Sequence, residues 1–116
     1  MFEKLLKKLP WEQGRQGTGY NKILLLQSGL IKFDLYLLYY PEGSEIPPHR
    51  DVVCGSSHYR LNIMLKKAKQ GGEFICENPI FRGLRVNLFR PDSSTHSVSK
   101  IDRGYRVMLS LGWVRR

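Results

Sequence analysis

The sequence is poor in several things that would each point to a class of protein. Its longest apolar runs, such as Ile23 to Leu26 and Leu35 to Tyr40, fall far short of the ~20 residues a membrane helix needs. No bilayer span is therefore expected. It has only two cysteines, Cys54 and Cys76, whose spacing is neither a CxxC nor a zinc-ligand pattern. Two buried free thiols are expected, with a disulfide as the alternative. The amino terminus mixes lysines with leucines and lacks the apolar core and small-residue cleavage site of a secretory signal, so a cytoplasmic location is expected. There are no repeats and no low-complexity segments. Acidic residues are scarce, ten against nineteen lysines and arginines, for a net charge of +9. Such an excess favours polyanionic partners. No helix-turn-helix or RNA-binding signature accompanies it, so a solvated basic surface stands as an equal alternative to a nucleic-acid contact.

What is present suits one compact unit. A chain of 116 residues with 41% hydrophobic content has room for a single domain, residues 1–116, and one core. Phe2, Leu5, Leu6 and Leu9 recur at helical spacing before Pro10, which predicts a short amphipathic helix laid on one face of a sheet. Residues 14–20 read as a loop. From Asn21 onward the chain becomes a series of β-type runs broken by turn residues, at about 22–27, 31–40, 48–51, 58–66, 73–77, 84–90, 95–100 and 105–114. Eight such runs suit the two sheets of a jelly roll.

The three histidines are His49, His58 and His96. His49-Arg50-Asp51 followed by His96 supplies two imidazoles and a carboxylate, the set that holds a non-haem Fe(II) while leaving coordination positions open. Arg106 follows ten residues later. Its planar guanidinium can grip a carboxylate through two parallel charge-assisted hydrogen bonds. His58, after Gly55-Ser56-Ser57, is expected to be a bystander to the metal, either at the surface or touching substrate.

The ordered set HxD…H…R, with Tyr40-Pro41-Glu42-Gly43 before it and Gly71-Gly72-Glu73 within it, resembles the Fe(II)/2-oxoglutarate-dependent oxygenases, in particular their prolyl-hydroxylase-like and AlkB-like branches. The resemblance runs from about Leu35 to Trp113. It implies an all-β double-stranded β-helix, a cupin-like jelly roll, behind the short N-terminal helix. It also implies Fe(II) on His49, Asp51 and His96, 2-oxoglutarate as co-substrate, and O2. The reaction would hydroxylate or oxidatively demethylate a substrate with release of succinate and carbon dioxide.

Strand alternation indicates which residues face the pocket. Arg106, Met108, Ser110 and Gly112 share one face of the last run, and Val107, Leu109, Leu111 and Trp113 share the other. If Arg106 takes the distal carboxylate of 2-oxoglutarate, Ser110 is placed to add a hydroxyl donor. On residues 58–66 the polar face is Arg60, Asn62 and Met64. Asn62 is either a donor to the co-substrate or an asparagine satisfied by backbone groups. Only one of Tyr39 and Tyr40 can point inward, and the resemblance favours Tyr40 as a co-substrate contact. Gly112 stands where AlkB-like enzymes carry a second arginine six residues after the first, which weakens the case for nucleobase repair. The prime substrate has no motif: protein side chain, nucleic acid and small molecule all remain candidates. The reading from a different class is a cupin-like module that holds a metal or ligand without turning it over.

Overall fold

The computed structural model describes residues 2–14, 19–28, 32–51 and 56–115. In chain order the elements are α1 (Phe2–Lys7), β1 (Glu12–Gln13), β2 (Asn21–Ser28), β3 (Phe33–Tyr40), β4 (Ile46–His49), β5 (Ser57–Lys66), β6 (Gln70–Gly71), β7 (Phe74–Cys76), β8 (Phe81–Arg82), β9 (Val86–Phe89), β10 (His96–Val98), β11 (Ile101–Arg103) and β12 (Arg106–Arg115). The strands form a seven-stranded sheet in the order β1-β2-β3-β12-β5-β9-β8, a three-stranded sheet β4-β10-β7 and a two-stranded pair β11-β6. This is the expected all-β, cupin-like jelly roll with one short N-terminal helix. No helix among the described residues is long and apolar enough to cross a membrane.

β12 is the backbone of the large sheet. It pairs antiparallel with β3 from Arg106↔Tyr40 to Trp113↔Phe33, and with β5 from Val107↔Lys66 to Arg115↔Ser57. Because directly paired residues face the same side, the inward alternation of Arg106, Met108 and Ser110 is shared by Tyr40, Leu38 and Tyr36 on β3. The enclosed core is built from this inner face and the small sheet, and gathers Tyr40, Ile46, Val98, Ile101 and Met108. A second cluster sits on the opposite side of the large sheet, where Leu6 of α1 packs on Tyr39 and Val107. The Tyr39 hydroxyl donates to the Glu3 carboxylate at 2.6 Å, and burial together with Glu3 raises its pKa. Past the helix, the Trp11 indole N–H donates to the Leu6 carbonyl, satisfying one of the carbonyls that every helix end leaves open.

Several boundaries differ from the sequence expectation. The run at 31–40 becomes a strand only at Phe33; Lys32 before it has a φ of 55°, which breaks extended pairing, and Ile31 lies outside the described residues. The run at 48–51 is displaced to Ile46–His49, so Asp51 stands beyond the strand, where its N–H bonds the Pro91 carbonyl at 2.7 Å. His96 is on the third strand from the end rather than the penultimate one, because β11 intervenes. Strands β1, β6, β8 and β11 are two- or three-residue pairings, too short to show any alternation. The loop expected at 14–20 falls partly outside the described residues, and Cys54 lies outside them. Cys76 is a free thiol but only half-buried, not buried as expected, with its sulfur 3.2 Å from the Ser94 hydroxyl.

Candidate metal and ligand site

The pairing of β10 with β4 sets His96 opposite His49, and their rings lie 4.3 Å apart between centroids. His49 Nε2 is 3.6 Å from one carboxylate oxygen of Asp51, and His96 Nε2 is 3.5 Å from the other. One donor atom from each residue lies within 4.8 Å of the others. Nitrogen and oxygen ligands about 2.0–2.2 Å from a shared ion stand roughly 3–4 Å apart, so the spacing fits a divalent metal. The rings are also turned for it. His49 Nδ1 is 2.9 Å from the Pro47 carbonyl, and His96 Nδ1 is 3.0 Å from that of Ser94. With the proton on Nδ1 and donated to those carbonyls, each Nε2 keeps its lone pair for a metal. Phe89, almost wholly buried, braces the His96 ring at 5.0 Å.

Behind this triad the barrel encloses a cavity of about 230 Å³, lined in part by His49, Asp51, His96, Tyr40, Asn62 and Arg106. That is below the ~300–1,000 Å³ of pockets for drug-sized ligands and suits a small molecule. Arg106 is 1% exposed, and none of its three guanidinium nitrogens has a hydrogen-bond partner among the described residues. It lies over Tyr40, whose ring centroid is 4.9 Å from the guanidinium carbon. Burial lowers the Arg106 pKa, with Tyr40 opposing the shift. Burial likewise pushes the Tyr40 hydroxyl up to about 12, with the arginine charge pulling the other way. Tyr20 stacks on the Tyr40 ring at 5.2 Å. A buried cation left without a hydrogen-bond partner costs several kcal/mol by order of magnitude, more than the Tyr40 ring face returns, and an anionic ligand is the natural compensation.

The structure thus brings His49, Asp51, His96, Arg106, Tyr40, Ser110 and Asn62 around one cavity, and turns Tyr39 away. Ser110 is engaged within the chain. Its hydroxyl donates to the Asn62 side-chain carbonyl at 2.6 Å and accepts from Arg60 Nη1 at 2.8 Å, so its proton is already committed. Asn62 is held by that hydroxyl rather than by backbone, which leaves its amide NH2 as the donor it can turn to a ligand. Arg60 is the residue that sequence reasoning left without a role. Its other terminal nitrogen bonds Asp34 at 2.8 Å and approaches His58 Nε2 at 3.5 Å. His58 is not among the metal-gathering residues but lines the cavity, and burial followed by the Arg60 charge lowers its pKa. Its role follows from the pairing of Arg60 opposite Gly112, a position without a side chain, and that register has no signal in the sequence.

No family model matches the sequence, and no curated protein matches it in sequence. Solved structures do. The chain is similar to KdgF from a Halomonas species with a TM-score of 0.61 at 14% identity, over 95% of this chain and 92% of that one. It is similar to the cupin domain of Cnp3 from Schizosaccharomyces pombe with a TM-score of 0.64 at 16% identity, over 93% and 70%. Other matches are described as cupins. A viral collagen prolyl hydroxylase from Paramecium bursaria Chlorella virus-1, solved with 2-oxoglutarate, gives 0.57 at 14% identity over 86% and 82%. These likenesses define the class: a cupin fold, the double-stranded β-helix, here carrying a candidate His-Asp-His metal site.

Proposed function

We propose that this chain is an Fe(II)- and 2-oxoglutarate-dependent dioxygenase, one domain spanning residues 1–116, with His49, Asp51 and His96 as metal ligands and Arg106 as the carboxylate anchor. The observation that carries the reading is the buried Arg106 guanidinium, without a hydrogen-bond partner among the described residues, in the same cavity as the triad. Three ligands from one side leave positions on the metal for a chelating acid and a gas. A dicarboxylate can reach from those positions back to Arg106.

Bound Fe(II) would supply coupled oxidation, in which 2-oxoglutarate, O2 and a substrate C–H give succinate, carbon dioxide and the C–OH product, with demethylation where that carbon is bonded to nitrogen. The remaining tasks belong to this chain's own residues. The backbone carbonyls of Pro47 and Ser94 hold the imidazole tautomers. Arg106 and Tyr40 fix the far end of the acid. Asn62 offers amide donors along its length, and Phe74 and Phe89 keep the metal's flank apolar and dry.

A second reading has its own support, because most of the similar solved structures are described as cupins. On that reading the triad and Arg106 hold a metal and an acid without turnover. Anaerobic Fe(II) loading, followed by O2 and 2-oxoglutarate with candidate protein, nucleic-acid and small-molecule substrates, separates the two. Succinate formation that depends on His96 supports the oxygenase. Tight 2-oxoglutarate binding with no succinate under any substrate supports the binding module.

A further inference from the structure

The sequence Arg82-Gly83-Leu84-Arg85 turns β8 into β9, and the Gly83 N–H closes the turn onto the Val86 carbonyl at 2.7 Å. A turn that faces water ordinarily carries polar residues, since nothing covers its side chains. Leu84 instead stands 99% exposed at the tip between two arginines, and Phe81 at the start of the hairpin is 56% exposed. The hairpin lies against the end of β5. The Met64 N–H bonds the Arg85 carbonyl at 2.7 Å, and Arg85 Nη1 reaches the Met64 and Leu65 carbonyls at 3.4 and 3.5 Å. There Leu65 is 48% exposed and is followed by Lys66 and Lys67.

The same edge of the barrel runs on to α1. Lys66 extends over the Tyr105 ring, its Nζ 5.0 Å from the centroid, and Tyr105 packs against the cluster of Leu6, Tyr39 and Val107 beneath the helix. Leu6 is the leucine that α1 buries, whereas Leu5 is 57% exposed and Leu9 41%. Lys4, Lys7 and Lys8 are exposed beside them. Residues 3–9, 63–67 and 80–85 together hold seven lysines and arginines and a single acid, Glu3, whose carboxylate already accepts from the Tyr39 hydroxyl. Leu5, Leu9, Leu65, Phe81 and Leu84 each have a cation as an immediate chain neighbour.

We propose that this edge docks on a bilayer surface rich in anionic phospholipid headgroups. The exposed apolar side chains and the cations beside them must be satisfied together, and other occupants satisfy one set only. A nucleic acid would neutralise the cations and leave the leucines in water. A second copy meeting edge to edge would cover the leucines while setting the cations against their like. An anionic bilayer takes both. The apolar side chains enter the boundary between headgroups and acyl chains, while the lysines and arginines lay their stems along that boundary and keep their charged heads among the phosphates. The number of cations matches the clusters of about 4–8 basic residues that anionic lipid surfaces hold. Neither the metal triad nor Arg106 belongs to this edge, so docking leaves the cavity's ligands in place.

The test is flotation of the unmodified chain with vesicles of phosphatidylcholine alone and of phosphatidylcholine containing about 30% phosphatidylserine, at about 0.1 M salt. The chain is expected to float with the anionic vesicles and not with the neutral ones, and to be released as salt rises. Leu84→Ser, at a fully exposed tip where no packing is lost, is expected to weaken binding about tenfold. Lys7→Gln combined with Lys8→Gln should weaken it roughly 30-fold, the loss of two cations at a charged surface. Ile75→Ser, an exposed apolar position on the small sheet, and Arg115→Gln, exposed at the far end of β12, should bind as the wild type does. Absence of binding to the anionic vesicles overturns the proposal, as do equal binding to neutral ones, full binding by Leu84→Ser, or equal losses in the Ile75 and Arg115 variants. So does binding of an oligonucleotide in place of vesicles, which would assign the cations to nucleic acid, or self-association without vesicles that Leu84→Ser abolishes.

Discussion

The guanidinium of Arg60 lies over Gly112: a β-carbon built at Gly112 would collide with Arg60 Nη2, and the group is tied in that place by Ser110 and Asp34. A cationic head thus reaches the inner face of β12 from the neighbouring strand, at the position where a residue on β12 itself has none to offer.

This arrangement makes Gly112→Ala a sharper change than its size suggests. The methyl group displaces Arg60, breaking its bonds to Ser110 and Asp34. Ser110 then turns from its present partner set, and 2-oxoglutarate binding is expected to weaken by about 1–3 kcal/mol, the scale of one charge-assisted hydrogen bond. Isothermal titration with metal-loaded protein reads this directly. Unchanged affinity would mean that the Arg60 network does not shape the pocket.

The metal triad is tested by removing each ligand. His49→Ala, Asp51→Ala and His96→Ala should each abolish Fe(II) binding, together with the weak visible charge-transfer band expected on adding 2-oxoglutarate anaerobically. His58→Ala should keep both. Loss of the band in His58→Ala with retention in His96→Ala would reassign the third ligand.

Arg106 should show opposite effects with and without ligand. Arg106→Met removes a buried charge that has no hydrogen-bond partner among the described residues and rests on the Tyr40 ring, so the ligand-free protein is expected to gain about 1–4 kcal/mol of stability, as when a buried ionic group is replaced by an apolar one of similar volume. The same variant should lose about 2–5 kcal/mol of 2-oxoglutarate affinity. Ligand stabilises the native state by RT ln(1 + [L]/Kd), so added 2-oxoglutarate should raise Tm in the wild type and not in Arg106→Met. A Tm that falls in the ligand-free variant would show that the guanidinium is compensated within the protein.

His58 sets a pH dependence of definite sign. Its pKa is lowered in the folded chain, so below the ordinary histidine value of about 6.5 the unfolded state binds the proton first. Stability must then fall as pH drops through that value, until the folded-state pKa is passed. His58→Gln should flatten this part of the stability profile. If denaturant midpoints between pH 7 and 5 decline equally in both proteins, His58 is not the group responsible.

Much of this was legible because it depends on period-two alternation. Arg106 and Ser110, Tyr40 against Tyr39, and the pocket-facing set of β5 all follow from which way successive side chains point. The metal residues were visible as residue types in order, though not as geometry. What stayed hidden depends on pairing between distant segments. The Ser110–Asn62 and Arg60–Asp34 bonds join residues whose opposition is fixed only by the register of three strands. Asp51 lies past the end of β4, held by the Pro91 carbonyl, a contact with no local signature. Short strands such as β6 and β11 are defined by each other rather than by their own two or three residues.

The two faces of β12 also bear on how the chain finds its fold. A slip of one residue against β3 or β5 would put Arg106 on the outer face with Leu35, Leu37 and Leu61 and drive Leu109 and Leu111 into the cavity, so misregistered pairings are penalised on both sides of the sheet at once. The irregularity in the β12–β5 ladder between Val107 and Met108 interrupts the repeat beside Arg106. β12 therefore has one alignment that satisfies both faces, and the alternation that separates cavity from outer surface also guards against misfolding.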